Sequence, residues 1–146
     1  MKKIHVLIIP SSFPGKFTKY SGVFYKEQTK SLVQLNAKIG VVCPEIVSMR
    51  QLKFLVKLHL FGMEYKEHVD GVPVYRKVGF NIFPFFRKFN RNLFNSYSNK
   101  LIKNYIKDHG VPDIVHCHGA FLAGEASLGI KNKYGIPYVI TEHSSY

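Results

Sequence analysis

Residues 113–146 read DIVHCHGAFLAGEASLGIKNKYGIPYVITEHSSY. The run Asp113 to His118 is short and holds Ile114, Val115 and Cys117 between Pro112 and Gly119, which predicts a strand. Phe121 to Tyr134 then carries a helical pattern with Gly135 as its C-terminal stop, and Pro137 to Thr141 is a second β-branched run. Strand, helix, strand in this order is the repeating unit of a parallel sheet, because two parallel neighbours need a long crossover between them.

The same alternation extends upstream. Leu93, Phe94, Tyr97, Leu101, Tyr105 and Ile106 recur at three- and four-residue steps, predicting a helix over Asn92 to Lys107 that Gly110 and Pro112 stop. Ile4 to Ile9 is a strand, and Pro10, Pro14, Gly15 and Gly22 mark a long loop before a helix over Val23 to Leu35. Lys38 to Cys43 is the second strand, ended by Pro44. Val69 to Val78 (VDGVPVYRKV) holds a turn at Asp70-Gly71 leading into a third. Right-handed crossovers then give five strands in the order 3-2-1-4-5, an α/β, Rossmann-like three-layer sandwich with a mainly parallel sheet. Cys43 and Cys117 would flank the first strand roughly 10 Å apart, beyond disulfide reach.

With 146 residues, 46% of them hydrophobic, the chain is sized for one domain. Its net charge of +12, from 21 Lys and Arg against 9 Asp and Glu, creates a field that attracts anions. No nucleic-acid-binding motif accompanies that charge, so nucleic acid is not an expected partner. The apolar run Ile4 to Ile9 is too short to span a membrane or to serve as a secretory core. A cytoplasmic protein is therefore expected.

Ligands of open α/β sheets bind beyond the carboxyl ends of the strands, where strand order reverses. Three segments fall there: residues 11–22, residues 116–119 and residues 141–145. Ser21-Gly22 opens a helix whose N–H groups and positive dipole end suit a phosphate, with Ser21 as a possible N-cap. Phe24 stands where a capping box would have an acid or amide, and the dinucleotide and P-loop glycine patterns are absent. His116 and His118 share one face of their strand, with Cys117 on the other, and His143 ends the neighbouring strand. Imidazoles gathered on one rim suit either a metal site, with Glu142 as a further ligand, or a phosphate and hydroxyl site in which they donate hydrogen bonds and move protons.

Taken in order, IHVLIIPSSFP, SGVFYKEQTKSL, DIVHCHGAFLAG and YVITEHSSY resemble the N-terminal domain of family-4 retaining glycosyltransferases, the acceptor-side half of the GT-B fold. The resemblance covers nearly the whole chain. It implies a nucleotide-sugar donor, a glycan or lipid-linked acceptor and no further cofactor or metal. Ser21 and Gly22 would lie against the donor diphosphate, although many members have Gly-Gly where this chain has Ser21-Gly22. His143 would be the catalytic histidine, contacting sugar or phosphate near the reacting carbon. His118, Gly119, Glu142 and Ser144 would line the acceptor side. Residues 1–146 would form this one domain, the nucleotide-sugar-binding C-terminal domain would be absent from the chain, and the chain alone would be inactive.

Two stretches fall outside the alternation. Gln51 to Tyr65 is read as an apolar helix with a basic stripe of Arg50, Lys53 and Lys57. Phe80 to Phe94 sets Phe80, Phe83, Phe85, Phe86, Phe89 and Phe94 beside Arg87, Lys88 and Arg91. Such segments either pack in the core or dock on an anionic membrane surface, at the inner face of the membrane. The alternative functions are a metal-dependent hydrolase using His116, His118 and His143, and a non-enzymatic adaptor binding lipid or another polyanion.

Overall fold

A computed structural model describes residues 3–16, 19–48, 58–81 and 87–142. The chain runs β1 (His5–Pro10), α1 (Val23–Gln34), β2 (Lys38–Ser48), a 3-10 turn (Leu58–Leu60), β3 (Glu64–Val69), β4 (Val72–Asn81), α2 (Arg87–His109), β5 (Ile114–His118), a π-helical turn (Ala120–Gly124), α3 (Glu125–Tyr134) and β6 (Tyr138–Thr141). The sheet has the order β3-β4-β2-β1-β5-β6. Only β3 is antiparallel to its neighbour; the other pairs are parallel.

All six residues of β1 are buried, as expected of a central parallel strand covered on both faces. Alternation along the strands splits the interior in two. Leu7, Ile9, Val42, Tyr75, Val115 and Cys117 face a layer built by α2 and α3, where Phe94, Leu101, Ile102, Tyr105 and Ile130 are buried. Val6, Ile8, Val41, Cys43 and Val74 face the other way, toward Phe13 and the half-buried Tyr25 and Leu32 of α1. Each fully buried aliphatic or aromatic side chain stabilises this arrangement by about 1.5–3 kcal/mol. The two layers are unequal: α1 fully buries only Thr29, whereas α2 buries six side chains.

The five expected strands are all present in their expected order, and several details differ. The expected third strand is the second arm of a hairpin. Asp70 and Gly71 both adopt positive φ (51° and 81°), the geometry of a tight two-residue turn, so that Glu64–Val69 folds back as an added edge strand. Glu64 and Tyr65, read as the end of a basic helix, are therefore strand residues. Leu60, Met63 and Tyr65 pack on the buried Val47, Val78 and Phe80. Residues 49–57, which carry most of that expected helix with Arg50, Lys53 and Lys57, lie outside the described residues.

Pro44 does not end β2. Pairing with β1 stops at Val41, and beyond it β2 is bonded only to β4, an edge-like stretch where a missing N–H is tolerated. Helix α2 begins earlier and ends later than its apolar periodicity suggested, because Arg87 to Asn90 and Asp108-His109 add turns with little apolar content. The crossover after β5 opens as a π-helical turn before α3.

Cys43 and Cys117 flank β1 as expected, and both are buried free thiols. They also point to opposite faces of the sheet. Among the described residues, no helix is long and apolar enough to cross a membrane. Phe80 and Phe94 belong to the core, whereas Phe89 is 43% exposed beside the exposed Arg87 and Lys88. Phe83, Phe85 and Phe86 fall outside the described residues.

Candidate functional site

Parallel register brings Pro10, His118 and Thr141 to one rim of the sheet, because Pro10 pairs with His118 and His118 with Thr141. The loop after β1 returns across this rim to start α1. Its last residue, Gly22, takes the left-handed conformation (φ 75°, ψ 22°) and is the N-cap, without a side-chain cap bond. This corrects the expected capping role of Ser21, which lies one residue too early. A Cβ on Gly22 would stand 2.4 Å from the Ser12 carbonyl oxygen. Only glycine thus satisfies both the backbone angle and the contact that seats the helix start on the β1 loop.

Ser21 lines a small cavity of about 70 Å³ together with Ser11, Ser12 and Phe13. On the outer side, Ser12, Tyr20, Gly22, Val23, Phe24 and Tyr25 border an open cavity of about 600 Å³ at the N-terminus of α1. Tyr20, at 91% exposed, and Phe24, at 56%, give that cavity an aromatic rim. Unpaired backbone N–H groups converge at a helix start of this kind, an arrangement that favours negative charge.

His118 is fully buried at the inner wall of this rim. Its ring lies 4.2 Å from that of His116, so the two imidazoles do share a face, and 4.8 Å from that of Tyr25. The Tyr25 hydroxyl stands 3.3 Å from Ser11 Oγ. His116 Nε2 is 2.8 Å from Thr141 Oγ1, which ties β5 to β6. Gly119 N donates to the Thr141 carbonyl at 3.0 Å and, at φ 91°, turns the chain into the π-helical segment. Glu142, exposed, accepts from Ala120 N at 2.8 Å and so holds the start of that segment. Ser21, Gly22, His118, Gly119 and Glu142 therefore gather at the carboxyl ends of β1, β5 and β6. His143 and Ser144 lie outside the described residues.

Among the described residues no group of three or more His, Cys, Asp or Glu side chains is disposed to hold a metal ion. His116 is turned toward Thr141, and the third imidazole of the expected cluster, His143, falls outside those residues.

A third cavity, of about 310 Å³, was not anticipated. It opens between the ends of β2 and β4 and the start of α2, with Ser11, Ile46, Asn81, Arg87, Phe94 and Phe121 among its walls. Its polar groups stand beside apolar ones, and Ser11 links it to the first rim. The sequence signal lay in the aromatic, basic stretch around Arg87, but periodicity cannot tell which of those side chains turn inward.

The sequence and the fold are similar to those of known proteins. The chain is 30% identical over 148 aligned residues to the "Putative teichuronic acid biosynthesis glycosyltransferase TuaC" of Bacillus subtilis, an alignment covering 96% of this chain and 36% of that protein. A 73-residue stretch is 37% identical to the "Uncharacterized glycosyltransferase MJ1178" of Methanocaldococcus jannaschii, covering 49% of this chain and 20% of that one. The chain thus spans about a third or less of the length of these relatives. The fold resembles the catalytic domain of starch synthase IV from Arabidopsis thaliana, solved with ADP and acarbose, with a TM-score of 0.60 at 16% identity, covering 98% of this chain and 34% of that one. It is the Rossmann-like domain of the GT-B type. These likenesses favour neither the hydrolase nor the adaptor reading. The Glycosyltransferase Family 4 model matches residues 22–146, and the chain belongs to that family.

Proposed function

We propose that this domain supplies the acceptor-side half of a glycosyltransferase active site, moving a sugar from a nucleotide-sugar donor to a glycan or lipid-linked acceptor. The observation that carries the reading is the start of α1, with Gly22 seated on the Ser12 carbonyl and Tyr25 against the buried His118. Backbone N–H groups at Ser21 and Gly22 hold the donor diphosphate, where the helix dipole favours negative charge. His143 contacts the transferred sugar or its phosphate near the reacting carbon. His118, Gly119, Glu142 and Ser144 line the acceptor side.

A second, nucleotide-binding domain closes the cleft, and this domain alone is inactive, because transfer requires donor and acceptor to be held together. No cofactor or metal takes part; the nucleotide-sugar is a substrate. The net charge of +12 suits an acidic acceptor. The name of the Bacillus relative, which refers to teichuronic acid biosynthesis, points the same way. Arg87, Lys88 and the half-exposed Phe89 at the start of α2 support a peripheral contact with an anionic membrane at its cytoplasmic face.

The test is a transfer assay on the complete enzyme carrying this domain, with a panel of labelled nucleotide-sugars and with glycan and lipid-linked acceptors. Transfer is expected from at least one donor, with His143→Ala lowering kcat by about 100-fold, the scale of one lost transition-state contact. Absence of transfer from every donor would overturn the reading, and an unchanged rate in His143→Ala would remove the role given to that residue.

A further inference from the structure

We propose that Arg76, on a strand remote in sequence from the rim, is the positioning residue of the donor loop, its guanidinium fixing the backbone that seats Gly22. This rests on the function proposed above.

Arg76 is fully buried on β4, the largest such side chain among the described residues. Its Nε donates to Glu67 Oε1 at 2.5 Å. Its other two nitrogens do not stay within the sheet. Nη1 donates to the Phe13 carbonyl at 3.3 Å, and Nη2 donates to the Pro14 carbonyl. The guanidinium also lies over the Phe13 ring, 5.6 Å from its centre. Glu45, likewise buried, accepts from the Tyr65 hydroxyl at 2.7 Å beside it. Gly15 completes the seat: a Cβ there would come within 2.9 Å of Arg76 Nη1 and 3.0 Å of Glu45 Oε1.

Burying a guanidinium has a desolvation cost that pairing with nearby carboxylates offsets only in part, and replacing a buried ion pair by apolar side chains of similar volume is often neutral or stabilising. Stability alone therefore gives little reason for Arg76. What an apolar residue cannot do is grip two consecutive carbonyls. The planar fork of arginine spans both, and the point charge of lysine does not. The gripped residues directly follow Ser12, whose carbonyl is the surface on which Gly22 rests. Arg76 thus acts on the diphosphate site through Phe13 and Pro14, touching no substrate itself.

The experiment measures donor KM, acceptor KM, kcat and thermal midpoint in the complete enzyme for Arg76→Lys, Gly15→Ala, the double variant and Lys77→Met. Lys77 is next on the same strand, nearly as buried, and pairs with Glu64 on the opposite face, away from the loop. It controls for loss of a buried ion pair. Arg76→Lys is expected to raise donor KM about tenfold, with kcat within about twofold and acceptor KM unmoved, the pattern of lost ground-state binding. Gly15→Ala, which displaces the guanidinium from the other side, should do the same. The double variant should be no worse than the poorer single one, because both disturb one contact. Lys77→Met should lower the midpoint without moving donor KM. The proposal is overturned if Arg76→Lys behaves like Lys77→Met, or if the effects of Arg76→Lys and Gly15→Ala add. An unmodified enzyme that transfers no sugar overturns the proposed function and this proposal together, whereas an active enzyme with unmoved donor KM overturns this one alone.

Discussion

The ring of Tyr25, in the first turn of α1, lies 4.8 Å from the buried imidazole of His118 at the end of β5. Residues 93 positions apart thereby form one wall of the candidate site, and Tyr25 separates His118 from the open cavity at the start of α1. Tyr25→Phe keeps the ring and loses the hydroxyl's contact with Ser11, so stability should change by about 0.5 kcal/mol or less. Tyr25→Ala uncovers His118 and should cost about 2 kcal/mol, less than for a wholly buried aromatic ring. Urea denaturation of the two variants measures the difference, and equal midpoints would mean that the ring contact is unimportant.

Gly22 and Gly135 separate two reasons for glycine. Both have positive φ, but a Cβ on Gly135 meets nothing within 4 Å, while one on Gly22 meets the Ser12 carbonyl. Gly135→Ala should therefore cost about 1 kcal/mol, the penalty of the left-handed conformation. Gly22→Ala should cost about 2–4 kcal/mol, because a displaced loop is added to that penalty. It should also abolish sugar transfer by the complete enzyme. Thermal denaturation checks the ranking.

The two thiols lie on opposite faces of the sheet, both buried, and burial pushes the Cys43 thiol up to about 12. A thiol-reactive dye should leave the native domain unlabelled at neutral pH and label both cysteines in concentrated guanidinium. Adding a reductant should not move the thermal midpoint. Fast labelling of the native protein would contradict the burial.

Acid should destabilise the domain in two windows. Burial, and then the neighbouring Lys38, hold His5 and His109 below the ordinary imidazole value of 6.5. The unfolded chain therefore takes up these protons first. The stability that these groups contribute is present above pH 6.5 and is lost as pH falls through the lower folded values. In the second window, burial alone would raise Glu64, but hydrogen bonds from Lys100 and Lys77 outweigh it and its carboxyl lies below the usual value. Hydrogen bonds from Lys66 and Tyr75 likewise lower Asp108. Protonating these two carboxylates below about pH 4.5 removes a further contribution. Urea titrations across pH should fall in both ranges, and His5→Leu should flatten the first. A profile level from neutral pH down to about 5 would contradict the histidine assignment.

Much of the fold was legible because its signals are local. Strand and helix periods, Gly135 as a helix stop and the Asp70-Gly71 turn each depend on neighbouring residues. The antiparallel β3 was missed because Glu64–Val69 is an edge strand of mixed polarity, and its partner β4 supplies what its own composition lacks. Pro44 misled for a related reason: whether a strand tolerates proline depends on which neighbour it still pairs with at that point.

For the site, five of the six strands, their order and the rim to which Ser21-Gly22, His118 and Glu142 would come could be read from the amino-acid sequence alone. These follow from periodicity and from the handedness of crossovers. It took the tertiary contacts to show that Gly22 rather than Ser21 caps α1, that Tyr25 lies against His118, and that Arg76 bonds the carbonyls of Phe13 and Pro14. Each of these depends on contacts between residues distant along the chain. No local pattern encodes such a distance; it exists only once the sheet has brought the strands into register.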